Sequence, residues 1–324
     1  MRKIGTAAAL AASGCTGPQS ALDPAGPDAR LLAHLFWGMS IGSAVVWLVV
    51  VALTLHAFRP ARRPVSTRAA RLLLLGGGVA LPTAVLTGLL AYALALLPRM
   101  LAPAPPGSLT IEVTGYQWWW RVRYLRPGDE PVELANEIRL PVGESVDFRL
   151  AAADVIHSFW IPALGGKVDM IPGRRTRLHL RAARTGTFRG VCAEYCGTAH
   201  ALMAFDVVVH ERDEFERWLA RQAQPAPAPE GDLAARGAEA FLANGCGACH
   251  AVRGTAADGV VGPDLTWVGG RQSLGAGTLR NGVDALRAFV ARTDALKPGV
   301  HMPSFGMLAD DDLSAIAAWL GGLR

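Results

Sequence analysis

At 324 residues the chain has room for two or three domains, and about half of it is apolar, with two long apolar runs before residue 100. Its formal charge of +5 owes much to a leader (Arg2, Lys3) and to one short loop holding Arg59, Arg62, Arg63, Arg68 and Arg71. Beyond that loop the charge is mixed, and the absence of a basic stripe interleaved with aromatics argues against a nucleic-acid partner.

Residues 1–15 read as a bacterial export signal. Arg2 and Lys3 give a positive start, Ile4–Ala12 a short apolar core, and Ala12-Ser13-Gly14 small residues before Cys15. That core falls well short of the roughly 20 residues needed to span a bilayer. Small residues ahead of a cysteine resemble a lipoprotein lipobox, which implies acylation of Cys15; ordinary cleavage nearby is the alternative. Residues 16–30 follow as an extracytoplasmic segment. Leu31–Phe58 and Leu72–Pro98 lack Asp, Glu, Lys and Arg, so residues 31–98 are predicted to form a transmembrane helical hairpin. The Arg59–Arg71 loop carries five arginines and no acid, which places it in the cytoplasm and both flanks outside. Pro82 is tolerable within a span, because neighbouring helices can satisfy the freed carbonyl.

After the Pro-rich break Pro103–Gly107 the texture changes. Leu109–Tyr124, Glu137–Pro141, Ser145–Leu150, Thr176–Ala182 and Ala204–His210 alternate or are rich in β-formers, with P-G, V-G-E and I-P-G-R turns among them. Glu211–Arg221 reads as a helix. Short strands without long helices between them predict an all-β sandwich or small barrel over residues 108–222. Within residues 223–231, Gln224–Gly231 (Q-P-A-P-A-P-E-G) predicts an extended linker that holds the C-terminal part close without fixing it rigidly. Residues 232–324 are predicted to be helical again, at Asp232–Asn244, Asp284–Ala291 and Asp310–Gly321. The last opens on acids that favour a helix N-terminus.

The five cysteines comprise Cys192 with Cys196, Cys246 with Cys249, and an isolated Cys15. In an exported protein such pairs could simply be disulfides. Yet Cys192–Met203 (C-A-E-Y-C-G-T-A-H-A-L-M) places two thiols, an imidazole and a thioether within twelve residues. A disulfide leaves His200 and Met203 unexplained, and zinc has little use for a thioether. Thiolate, imidazole and weak thioether together favour copper in electron transfer, and a second thiolate suggests two metals sharing both sulfurs.

This pattern, with D-V-I-H-S-F-W-I-P (Asp154–Pro162), K-V-D-M-I-P-G-R (Lys167–Arg174) and Y-Q-W-W-W (Tyr116–Trp120), resembles the CuA domain of cytochrome c oxidase subunit II. The resemblance implies a cupredoxin fold and a dinuclear copper centre, CuA. It implies that Cys192 and Cys196 bridge both coppers, that His157 and Met203 complete one, and that His200 and the Glu194 carbonyl complete the other. It also implies that the Glu194 carboxylate reaches a Mg2+ at the contact with subunit I, and that Trp118 passes electrons to the copper. A spectator carboxylate and three tryptophans serving only as packing are the alternatives.

C-G-A-C-H (Cys246–His250) is a C-x-x-C-H haem-attachment motif, in which Cys246 and Cys249 form thioethers and His250 binds iron from one face. A redox dithiol is the alternative for C-x-x-C alone. M-P-S-F (Met302–Phe305) resembles the distal-ligand loop of class I cytochromes c, which implies Met302 as sixth ligand over Met307 or His301. Gly237, Phe241 and Trp319 look like that fold's terminal helix pair, and Pro263 in V-G-P-D-L like the residue whose backbone steadies the proximal histidine. His34, His56, His179 and His210 need no functional role.

Taken together, the chain resembles the c-fused class of haem–copper oxidases: a multidomain membrane protein with a two-helix transmembrane hairpin, an all-β cupredoxin domain and an all-α cytochrome c domain. The resemblance implies a multi-pass protein of the bacterial cytoplasmic membrane with both cofactor domains on the periplasmic face. Electrons would pass from cytochrome c through a covalently bound haem c and CuA to the O2-reducing subunit I. Implied partners are oxidase subunits I and III, cytochrome c or another upstream donor, and membrane lipid. A CuA-bearing nitric oxide reductase subunit, and a membrane-tethered copper and haem shuttle or copper-delivery protein, are the alternatives. One departure stands out: many subunits II carry a glutamate near the start of the second span, and Leu72–Pro82 has no acid.

Overall fold

Alternating side chains in residues 109–210 build ten strands in the computed structural model, which describes residues 15–59 and 66–324. The leader ahead of Cys15, and Arg62 and Arg63 of the arginine loop, lie outside the described residues. The strands are β1 (Leu109–Tyr116), β2 (Trp119–Leu125), β3 (Val132–Ala135), β4 (Glu137–Pro141), β5 (Ser145–Ala152), β6 (His157–Trp160), β7 (Val168–Met170), β8 (Thr176–Arg181), β9 (Gly186–Cys192) and β10 (Ala204–His210). They form two five-stranded sheets, ordered β3-β2-β1-β5-β8 and β4-β10-β9-β6-β7. The pairs β1–β5 and β4–β10 are parallel and the other pairs antiparallel.

Every second residue of β2 and β5 is buried, so each presents one apolar face to the core. Trp120, Phe148, Phe159 and Phe205 are fully buried there. Phe159 and Phe205 stack at 4.8 Å, and Trp120 meets Phe205 edge-on at 5.2 Å. The expected β-rich stretch Leu109–Tyr124 is in fact two antiparallel strands, with Tyr116 opposite Trp119. Asp154 accepts the Gln117 backbone N–H at 2.7 Å, and the side chains of Gln117 and Trp118 both donate to the Cys196 carbonyl. Those bonds draw the two residues out of the ladder and turn the chain. Residues 15–30, expected only as a segment outside the membrane, pack on the sandwich: Ala25 N–H donates to Ala163 O at 2.7 Å, and Ala183 N–H to Ala25 O at 2.6 Å.

Helix α1 (Pro27–Ala57) and the continuous helical segment α2 (Thr67–Met100) are both long and apolar enough to cross a membrane. Residues 31–102 form one compact unit, and the remaining described residues form another. Within α2, Leu72–Ala80 is π-helical and Leu81 N–H bonds back five residues to Gly76 O. Pro82 has no N–H to give and crowds the carbonyl four residues back, so a widened turn ahead of it relieves the clash.

After the strands, α3 (Arg212–Gln222) buries Phe215 and Leu219 on the sandwich. The C-terminal part is helical: α4 (Gly231–Ala243), α5 (Val283–Ala291) and α6 (Asp310–Gly322), with a small hairpin of β11 (Ser273–Leu274) and β12 (Leu279–Arg280). α4 and α6 cross where Gly237 lies against Ala315; a Cβ at Gly237 would sit 2.0 Å from the Ala315 carbonyl oxygen. One turn on, Phe241 and Trp319 meet edge-to-face at 5.0 Å. The three-part fold expected from the sequence is present. Phe205→Ala removes the ring shared by Phe159 and Trp120, and should destabilise the chain by about 3–5 kcal/mol, read from guanidinium unfolding of the detergent-solubilised protein.

Candidate copper and haem centres

The β9–β10 ladder ends on the candidate ligands. Val191 pairs with Ala204, and Cys192 N–H donates to Met203 O at 2.9 Å, so the loop opens and closes on two of them. Inside it, Cys196 is buried and His200 starts a 3-10 turn that ends at Leu202. β6 pairs with β9, Phe159 opposite Cys192, which brings fully buried His157 to the same spot from 35 residues upstream.

The donor atoms converge. Cys192 Sγ lies 3.8 Å from Cys196 Sγ, 3.9 Å from His157 Nδ1 and 3.2 Å from Glu194 O. Cys196 Sγ lies 3.4 Å from His200 Nδ1 and 3.7 Å from Met203 Sδ. A disulfide needs about 2.05 Å between sulfurs, and all five cysteines are free. Two thiolates holding one ion tetrahedrally at about 2.3 Å stand about 3.8 Å apart, so the spacing suits shared metal. Among the described residues, His157, Cys192 and Cys196 form the one cluster of three His, Cys, Asp or Glu ligands lying within 4.8 Å of one another.

Electrostatics favour one ionised sulfur of the pair. The Cys196 thiol donates to Cys192 and drives the Cys192 thiol well below its ordinary range, and the same bond holds the Cys196 proton on. A metal would displace that proton. Burial opposes charging of His157, but hydrogen bonds to Cys192 and Asp154 outweigh it and raise its pKa. Asp154 Oδ1 accepts from His157 Nε2 at 2.8 Å, which leaves Nδ1 facing the sulfurs and fixes the ring, as the outer partner of a metal-bound histidine does. Glu194 differs: its carboxylate is 45% exposed and 4.0 Å from Lys167 Nζ, an ammonium that also pairs with Asp169 Oδ1 at 3.1 Å. Trp118 is 6% exposed, its Nε1 donating to Cys196 O at 2.9 Å.

The second constellation sits on a 3-10 turn, Cys246–Ala248, following α4. Cys246 is half-buried and Cys249 exposed. His250 Nδ1 donates to Pro263 O at 2.8 Å, which leaves Nε2 free to bind iron. Burial holds the His250 pKa below its ordinary value, keeping the neutral form that ligates metal. Met302 is half-buried in the loop before α6, whereas Met307 is 76% exposed. These donors suit a covalently attached haem.

The linker is not the loose tether expected. Ala226 N–H donates to Arg253 O at 2.8 Å, Trp267 Nε1 to Gln224 O at 3.3 Å, and Ala226 packs into the helical core. Arg253 also reaches Gln222 O and Glu133 O. The β11–β12 hairpin docks on the sandwich: Ala204 N–H donates to Ala276 O at 2.9 Å, Gln272 N–H to Glu137 Oε2 at 2.7 Å, and Ala276 is buried in the sandwich core. Sequence reasoning missed Asp154, although it sits three residues before His157 in a run already singled out. It also missed this docking, which leaves no periodic trace.

The family described as "Cytochrome C oxidase subunit II, periplasmic domain" matches residues 125–211, and "Cytochrome c" matches residues 234–324. Cytochrome c oxidase subunit 2 of Alkalihalophilus pseudofirmus is 34% identical over 325 residues, covering 96% of this chain and 93% of the relative. The chain belongs to the cytochrome c oxidase subunit 2 family. The Bacillus subtilis subunit 2 is 33% identical over 229 residues, which cover 67% of this chain and 63% of that one. The crystal structure of the periplasmic domain of subunit II from Bradyrhizobium japonicum is 37% identical and covers 36% of this chain and 95% of its own, with a TM-score of 0.34.

As a subunit 2, this chain is part of an oxidase and works with subunit I. Its periplasmic domain implies copper and its cytochrome c domain implies haem; its apolar helices make it membrane-anchored. Asp154→Ala frees the His157 ring, and should weaken copper binding by about 10- to 100-fold in competition with a chelator, with the haem absorbance unchanged.

Proposed function

We propose that this chain is the subunit through which electrons enter a terminal respiratory oxidase, relaying them from cytochrome c through haem c and a dinuclear CuA centre to subunit I. The observation that carries the reading is the convergence of six donors (His157, Cys192, the Glu194 carbonyl, Cys196, His200 and Met203) around two sulfurs 3.8 Å apart. When bound there, paired copper and haem iron supply one-electron donor and acceptor levels.

The chain's own residues do the rest. Cys192 and Cys196 would hold the paired copper through their sulfurs, and the β9–β10 ladder limits how far these residues move. His157 is held by Asp154, and His250 by the Pro263 carbonyl. Cys246 and Cys249 would attach the haem, and His250 and Met302 would ligate its iron; Met/His ligation raises the potential, which suits donation to a high-potential acceptor. Trp118, bonded to the Cys196 carbonyl, is the candidate conduit into the copper centre. The Glu194 carboxylate is one ligand for a Mg2+ that subunit I would complete. Val155, Ile156 and Tyr195 are exposed apolar or aromatic residues beside these ligands and offer subunit I a contact surface. Subunit III, a lipid chain on Cys15 and a soluble cytochrome c donor complete the assembly we infer.

Purified with its partners, the complex should consume O2 with reduced cytochrome c and carry two coppers on this chain; a single copper would refute the dinuclear assignment. Cys196→Ser should abolish the optical and paramagnetic signature of an electron shared by two coppers. Met302→Ala should keep the haem attached through its thioethers but lower its potential in a redox titration, whereas Met307→Ala should not change it.

A further inference from the structure

Lys297, in the cytochrome part, is 2% exposed. Among the described residues no carboxylate pairs with it. Its Nζ instead donates to three carbonyls: Trp118 O at 2.8 Å, Leu202 O at 2.8 Å and Gly275 O at 2.6 Å. An ammonium has three donors and a neutral amine two, so three acceptors match the charged form. Burial works against that charge.

The three carbonyls come from three places that matter. Leu202 precedes the copper ligand Met203, Trp118 carries the indole bonded to Cys196 O, and Gly275 belongs to the docking hairpin. Two residues after Lys297, the chain lies against the same indole. Gly299 has φ +84°, and a Cβ there would stand 3.2 Å from Thr198 Cβ and 3.2–3.3 Å from Trp118 Cη2 and Cζ3. Three residues further on is Met302. One unbroken run, Lys297–Met302, thus connects the candidate haem ligand to Trp118, which is only 6% exposed.

We propose that Lys297 is a positioning residue that clamps the Met302 loop onto Trp118 and thereby sets the rate of transfer from haem to copper. The proposal rests on the relay proposed above. In the step concerned, one electron lost at haem iron is gained by the copper pair; no bond forms or breaks and no proton moves. The run Lys297–Met302 lies against Trp118 Cη2 and Cζ3, so its release would uncover those ring atoms to a soluble donor.

The test uses the intact oxidase complex, with flash-initiated oxidation or reduction followed at the haem and copper bands. In the wild type, copper reduction should proceed at a rate independent of the concentration of soluble cytochrome c and of salt. Lys297→Met takes the ammonium from the Trp118 and Leu202 carbonyls and leaves Gly275 O only the Thr278 hydroxyl, so the docked population should fall and haem-to-copper transfer should slow by about ten-fold or more. A second phase of copper reduction, dependent on soluble cytochrome concentration and weakened by salt, should appear, while both cofactor spectra persist. Gly299→Ala, which crowds the indole without removing the charge, should slow transfer in the same way and carries the test if Lys297→Met does not accumulate. Wild-type transfer rates in a folded variant, or loss of the copper spectrum along with the rate, would overturn the clamp. Absence of paired copper or attached haem in the wild type would instead overturn the relay.

Discussion

The backbone hydrogen bond from Cys192 to Met203 is the constraint on which the candidate copper site depends. It is the last rung of the β9–β10 ladder, and it fixes the distance between the two ends of the ligand loop. Once those ends are fixed, Cys196 and His200 have little freedom, since the loop is short and its middle is a tight turn. The neighbouring β6 then delivers His157 by strand pairing alone. A site assembled from sheet rungs is stiff, and stiffness is what an electron carrier needs, because ligands that stay in place on reduction keep the energetic cost of each transfer small.

The same stiffness extends outward. Asp154 holds both the His157 ring and the backbone of Gln117, so the turn bearing Trp118 and the candidate ligand histidine share one carboxylate. From the other side, Lys297 and the β11–β12 hairpin add the cytochrome part to that network, with Ala276 buried in the sandwich core. The two cofactor-bearing regions are joined by buried backbone hydrogen bonds, which are costly to leave unmade.

The range of each interaction decided whether the sequence displayed it or hid it. The soft ligands of Cys192–Met203 and the C-G-A-C-H run are local patterns, readable because their chemistry is packed into a few residues. The two apolar spans and the long strands β5 and β10 show equally plainly in composition. His157 was reachable only through resemblance, since nothing local says that a histidine 35 residues from Cys192 shares its site. Strand β6 buries three of its four residues and so shows no alternation. The break between β1 and β2 is hidden in Y-Q-W-W-W, which consists mostly of β-formers. Lys297 reads as an ordinary surface lysine, because its burial exists only once two regions meet.

The stretch after α3 is more constrained than its composition suggests. Pro225 lies against Gly254, and Ala226 is hydrogen-bonded to Arg253, so the connection is pinned at its start while residues 227–230 stay exposed. Ordinary tethers tolerate added or lost residues, because only their average reach matters. Here the first part, Gln224–Ala226, is tied to a fixed register between α3 on the sandwich and the bond to Arg253. Insertions and deletions across homologues should therefore fall among the exposed residues 227–230, and Gln224–Ala226 should keep its length as strictly as a strand does.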